Sequence, residues 1–143
     1  MQPHGILESV LYTRDLAAGR RFYAEVLGLE VVTEQAGRHV FFRCGRGMFL
    51  LFTPDSTATE ATHVNGCLVP LHGTTGAGHL AFAIRESELE EWRHRLSAAG
   101  VRVESEVAWP NGGRSIYFRD PAGNSVELAT PRLWGLAEEQ FDT

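Results

Sequence analysis

Apolar and polar positions alternate over residues 6–13, with Leu7, Leu11 and Thr13 on one side and Glu8, Val10 and Tyr12 on the other. This predicts a β-strand. The period then lengthens. Ala18, Phe22 and Val26 recur at helical spacing, widened by Tyr23 and Leu27, behind a capping residue at Asp15 and ahead of a left-handed stop at Gly28. Three β-rich runs follow at 29–33, 39–43 and 48–53, split by Gly37 and by the turn at 44–47. Residues 54–77 are rich in Thr, Gly and Pro and have no period, so a linker or long loop is expected there. Residues 78–84 predict another strand. Ser87 with Glu90 reads as a capping box for a helix carrying Leu89, Trp92, Leu96 and Ala99, and Gly100 ends it. A strand at 101–107 and a hairpin with arms at 114–118 and 125–129 complete the pattern. Between the arms, Asp120, Pro121, Gly123 and Asn124 supply turn chemistry.

The order strand, helix, strand, strand, strand thus occurs twice. Glu8 maps to His79 and Asp15 to Glu86 at an offset of 71, Gly28 maps to Gly100 at 72, and Thr53-Pro54 maps to Thr130-Pro131 at 77. An offset that grows only at loops is the behaviour of two copies of one unit. The chain is therefore expected to be one α+β domain of two βαβββ repeats. These lie at about 6–54 and 78–131, with a linker at 55–77 and a tail at 132–143. Each helix would cover one face of its sheet, and two free faces turned toward each other would enclose a cavity.

Composition narrows the function classes. The 143 residues are 43% hydrophobic and 22% charged, as in ordinary globular proteins. A net charge of −5 argues against nucleic acid or an anionic membrane as partner. No apolar run spans a bilayer, and the first residues lack the pattern of a signal peptide. Cys44 and Cys67 make no metal pattern and fit a reducing, cytoplasmic setting.

Glu127 is a carboxylate within an apolar strand, where it must be solvated, paired or metal-bound. Alone, Glu8 and Glu127 read as solvent-facing strand residues and His79 as a satisfied core histidine.

Three strings carry a resemblance: Arg21-Phe22-Tyr23-Ala24-Glu25-Val26-Leu27-Gly28-Leu29, Gly78-His79-Leu80-Ala81-Phe82, and Tyr117-Phe118-Arg119-Asp120-Pro121-Ala122-Gly123-Asn124-Ser125-Val126-Glu127-Leu128. Over residues 6–131 the chain resembles the vicinal oxygen chelate superfamily, which includes glyoxalase I, extradiol dioxygenases, fosfomycin-resistance enzymes and bleomycin-resistance proteins. The resemblance implies two half-barrels of glyoxalase type, and metal ligands on the first and last strands of each unit. Those positions hold Glu8, His79 and Glu127 here. The fourth falls on Leu50 or Leu51, so little glyoxalase I activity is expected. Glu8 also stands where fosfomycin-resistance and extradiol enzymes use His. Two carboxylates and one imidazole suit Mn²⁺, Fe²⁺, Ni²⁺, Co²⁺ or Zn²⁺.

The expected activity is that of a metal-dependent lyase, dioxygenase or transferase on a small oxygenated or electrophilic molecule, with Glu8 as base and Tyr12 as a donor to substrate oxygen. His39, His72 and Arg114 are expected to approach the substrate. The alternative is a metal-free pocket that sequesters a drug or antibiotic, as bleomycin-resistance proteins do. A homodimer is expected too, because family units often pair across subunits and the long linker can reach a neighbour.

Overall fold

The computed structural model describes residues 1–142. Unit 1 consists of β1 (Glu8–Tyr12), α1 (Leu16–Arg21), β2 (Glu30–Gln35), β3 (His39–Cys44) and β4 (Gly47–Phe52). Its sheet runs β1-β4-β3-β2. A segment then holds α2 (Pro54–Thr59) and a small hairpin of β5 (Thr62–Val64) and β6 (Cys67–Val69). Unit 2 follows with β7 (His79–Ala83), α3 (Leu89–Ala98), β8 (Val103–Ala108), β9 (Arg114–Arg119) and β10 (Ser125–Ala129), in the order β7-β10-β9-β8. In both sheets the first and last strands of the unit pair in parallel and the rest are antiparallel. Two 3₁₀ turns, Pro131–Trp134 and Glu138–Phe141, form the tail. Among the described residues no helix is long and apolar enough to cross a membrane.

Local signals act largely as the sequence predicts. The Asp15 carboxylate accepts from the Ala18 amide at 2.9 Å, and Gly28 and Gly100 take φ of 75° and 70° at the helix ends. The second capping box is displaced. The Glu88 carboxylate accepts from the Arg85 amide, so a 3₁₀ turn at Glu86–Glu88 precedes α3, in place of the expected Ser87–Glu90 box. Residues 54–77 are not the structureless linker expected, since α2 and the hairpin give them order. Asn65 and Gly66, at φ 51° and 77°, form a tight hairpin turn of a kind that apolar periodicity does not register. Leu7 is exposed, not core-facing, because β1 begins only at Glu8.

Phe22–Val26 departs from the α-helix as a π-helical turn, closed by the Leu27 amide donating to the Phe22 carbonyl. The wider turn lets adjacent Phe22 and Tyr23 both enter the core. Tyr23 packs on Phe42 and Phe49 of unit 1 and on Phe82 of unit 2, and Phe22 meets Phe118. One core therefore serves both units, fed by the helix-covered face of each sheet. The sheets meet edge to edge, β1 alongside β7. The expected cavity between two facing sheets is not formed within the chain, because the shared core turns both open faces outward.

Polar contacts lock the same junction. The buried Asp120 carboxylate accepts from the Tyr23 hydroxyl at 2.7 Å, from the Asn124 side-chain amide at 2.8 Å, and from the backbone amides of Ala122 and Asn124. Asn124 in turn donates to the Tyr12 carbonyl and accepts from the Gly78 amide. The Tyr23 hydroxyl pKa is driven far above 10.0, first by burial and then by the Asp120 charge.

Tyr23→Phe would deprive Asp120 of one donor and should cost about 1–3 kcal/mol in denaturant unfolding. The pH sign follows from the raised pKa. Native Tyr23 keeps its proton where the unfolded chain has lost it, so its contribution is intact below about pH 10 and falls as pH rises further. The wild type should therefore lose stability in alkali more steeply than Tyr23→Phe, and parallel alkaline limbs would contradict this assignment.

Candidate metal centre

β10 lies between β7 and β9, so its central residue is walled on two sides. Val126 and Leu128 enter the core, and alternation turns Glu127 to the open face of unit 2. It sits level with Ala81 on β7 and Tyr117 on β9, only 6% exposed. Its Oε1 accepts a short hydrogen bond from the Ser115 hydroxyl. Its Oε2 stands 3.3 Å from His79 Nε2.

The chemistry of that contact depends on the other ring nitrogen. His79 Nδ1 lies 3.1 Å from the Ser125 carbonyl oxygen, which can only accept, so Nδ1 carries a hydrogen. In a neutral ring Nε2 then presents a lone pair, and it points at a carboxylate oxygen. Two acceptors this close need a proton or a cation between them. Tyr117 lines the same place, its ring stacked along His79 at 6.3 Å. Burial, and then the Glu127 carboxylate, raise the Tyr117 hydroxyl pKa. His79 and Glu127 thus present one nitrogen and one oxygen to whatever lies between them, a shared proton or a cation.

The open face of unit 1 differs. Pairing places Val10, Leu50 and Phe41 in one row where unit 2 has Ala81, Glu127 and Tyr117. Leu50, not Leu51, thus occupies the fourth ligand position, and Leu51 belongs to the core. In the next row the Tyr12 hydroxyl and His72 Nδ1 are 2.6 Å apart, and His72 stands edge-on to Phe52. His39 stacks on Phe41 at 4.1 Å. Burial, then the Arg38 charge, hold its pKa below the usual imidazole range, and its buried Nδ1 has no hydrogen-bond partner. Unit 1 thus brings Tyr12, His39 and His72 together on an aromatic floor.

Two expected residues are placed elsewhere. Alternation along β9 sets Arg114 with Ile116 and Phe118 on the face opposite Ser115 and Tyr117, so it does not approach the His79–Glu127 pair. Its neighbour is Glu106. Glu8 is exposed at the start of β1, and among the described residues no three His, Cys, Asp or Glu side chains gather to hold an ion within one chain. Conversely, Ser115, Tyr117 and Trp109 lie beside this pair and are not among the expected ligand or substrate-binding residues. Two of them were legible, since Tyr117 pairs with Glu127 and Ser115 pairs with Ala129, two positions on, so both share the Glu127 face.

The family model described as the Glyoxalase/Bleomycin resistance protein/Dioxygenase superfamily matches residues 5–128. The chain belongs to that superfamily. A lactoylglutathione lyase from Agrobacterium tumefaciens has a solved structure 44% identical to it, at a TM-score of 0.87 over 95% of this chain and 100% of that one. The metallothiol transferase FosB of Staphylococcus saprophyticus is 28% identical over 120 residues, 83% of this chain and 72% of its own. The fosfomycin resistance protein FosX of Listeria monocytogenes is 25% identical over 131 residues, 87% of each.

In metal-free protein, well above the usual imidazole pKa, nitrogen-15 NMR should find the His79 proton on Nδ1. A neutral ring protonated at Nε2 would remove the case for two converging lone pairs.

Proposed function

We propose that the protein is a metal-dependent enzyme of this superfamily acting on a small oxygenated or electrophilic molecule. Its divalent ion would be held by His79 and Glu127 of one chain and Glu8 of a second copy. The observation that carries this reading is the 3.3 Å approach of His79 Nε2 and Glu127 Oε2, a nitrogen and an oxygen that a cation could join in a neutral ring. The bound ion would supply Lewis acidity toward a substrate oxygen. Tyr12 would offer a hydroxyl donor with His72 Nδ1–H donating to its oxygen, and Glu8 a carboxylate to receive a proton. The stacked, neutral His39 and the Phe41 and Phe52 rings provide an apolar wall that excludes water.

A second copy is supported by what one chain leaves exposed. Ile6, Leu7 and Val10 are uncovered beside Glu8, and Val64, Leu68 and Val69 project on the small hairpin. Between Glu60 and Arg85 the sequence carries no Asp, Glu, Lys or Arg. An apolar, uncharged arm of this kind suits a protein surface better than water. A two-fold dimer would bring the open face of unit 1 against that of unit 2 from the partner.

The similarity to a lactoylglutathione lyase makes the glutathione–methylglyoxal hemithioacetal the first substrate to test. Leu50 in place of a fourth ligand removes a carboxylate that could shuttle the substrate proton, so turnover should be very low at most. Robust turnover by metal-loaded protein would overturn the three-ligand assignment.

Bound divalent metal should fall severely in both His79→Ala and Glu127→Gln, since the remaining donors are too few to hold an ion against water. Near-normal stoichiometry in both would refute the site and favour a metal-free binding protein. Mixing Glu8→Ala with His79→Ala under subunit exchange should restore about half the metal if sites are shared across a two-fold dimer. No recovery, or a monomer by sedimentation, would exclude sharing.

A further inference from the structure

The two oxygens of Glu127 are not equivalent. Oε1 is bound to Ser115, a residue 2% exposed, while Oε2 is turned to His79. The Ser115 oxygen is also 2.8 Å from Trp109 Nε1. An indole N–H can only donate, so Ser115 accepts from Trp109 and its own hydrogen is left for Glu127. The direction of the whole chain, Trp109 to Ser115 to Glu127, is thereby determined. Among the described residues no arginine pairs with Glu127; neutral hydroxyls support it, Ser115 by a hydrogen bond to Oε1 and Tyr117 from the facing position on β9.

The donor end is rigidly mounted. Trp109 opens the turn between β8 and β9, where its amide donates to the Gly113 carbonyl and its carbonyl accepts from the Gly112 amide. The Asn111 side chain closes the turn onto the Gly113 amide and ties it to the Leu133 carbonyl in the tail. A side chain at Gly113 would collide with Leu133, its Cβ 2.5 Å from that of the leucine. The indole is therefore fixed relative to β9 by backbone contacts independent of any ligand.

We infer that Trp109 and Ser115 are positioning residues that hold Glu127 with one oxygen engaged and the other, Oε2, free for a cation shared with His79. The inference rests on the metal reading above and adds to it the two residues and the single ligating oxygen. Such supports of a ligating carboxylate commonly change metal affinity about 10- to 100-fold. They also govern how the carboxylate binds. With Oε1 released, both oxygens become available, and the ligand field should change with the affinity.

The test uses the intact protein and Co²⁺ alone, with affinity and the visible ligand-field spectrum read together. Ser115→Ala should bind Co²⁺ about 10- to 100-fold more weakly with an altered spectrum. Trp109→Phe keeps an aromatic ring, though a smaller one, and removes the donor, so it should shift both readouts in the same direction by a smaller amount. Where Ser115→Ala fails to fold by circular dichroism, Trp109→Phe decides alone. Wild-type affinity and spectrum in the folded variants would overturn the relay while leaving the metal site intact. Wild-type protein that binds no Co²⁺ would overturn the metal reading itself, and the relay with it.

Discussion

Asp120 sits in a turn of unit 2, yet its carboxylate is satisfied by a tyrosine from the helical segment of unit 1 and by an asparagine that also reaches β1 and the residue before β7. A buried carboxylate without a cationic partner is tolerable only if its hydrogen bonds are complete. Completing them here requires both units in one arrangement. Hydrophobic contacts in the shared core drive the units together without direction, whereas this network admits one register between β1 and β7. The open faces, and every functional group on them, take their orientation from that junction.

Within this frame the two units have diverged on their open faces while keeping the same backbone. Unit 2 has Glu127 and Tyr117 in the row where unit 1 has Leu50 and Phe41. The open face of unit 2 gathers a carboxylate and hydroxyl donors, and that of unit 1 gathers aromatic rings and imidazoles. Neither is a complete site. Their difference is what one would need if one face held an ion and the other the organic part of a substrate.

Much of this was legible in the sequence. The doubled βαβββ pattern, the glycine stops and the parity that sends Glu127 away from Val126 and Leu128 are local properties of spacing. The Phe-Tyr and Asp-Pro-x-Gly-Asn strings gave the family, but not the reason for their pairing, which is a contact between Tyr23 and Asp120 across 97 positions. The hairpin after α2 was hidden because its strands are three residues long and its turn is set by Asn65-Gly66, not by apolar periodicity. Charge suggests a substrate role for Arg114, whereas the alternation along β9 sets it on the face opposite Tyr117. Trp109 could not have been assigned, since its place follows from a turn folding back onto the strand that carries Ser115.

The π-helical turn at Phe22–Val26 has a meaning in terms of insertions and deletions. A π turn amounts to one residue more than an α-helix needs. Removing any one residue between Phe22 and Leu27 would let the helix revert to regular hydrogen bonding, a locally favourable change. Loss of Ala24, Glu25 or Val26 would also turn the Phe22–Tyr23 pair by about 100° relative to Leu27 and the strand beyond, so that the aromatic pair and Leu27 could no longer all face the core. The chain length of this short segment is therefore under tighter constraint than its chemistry, and a homologue shorter by one residue here would have to join its two units by different contacts.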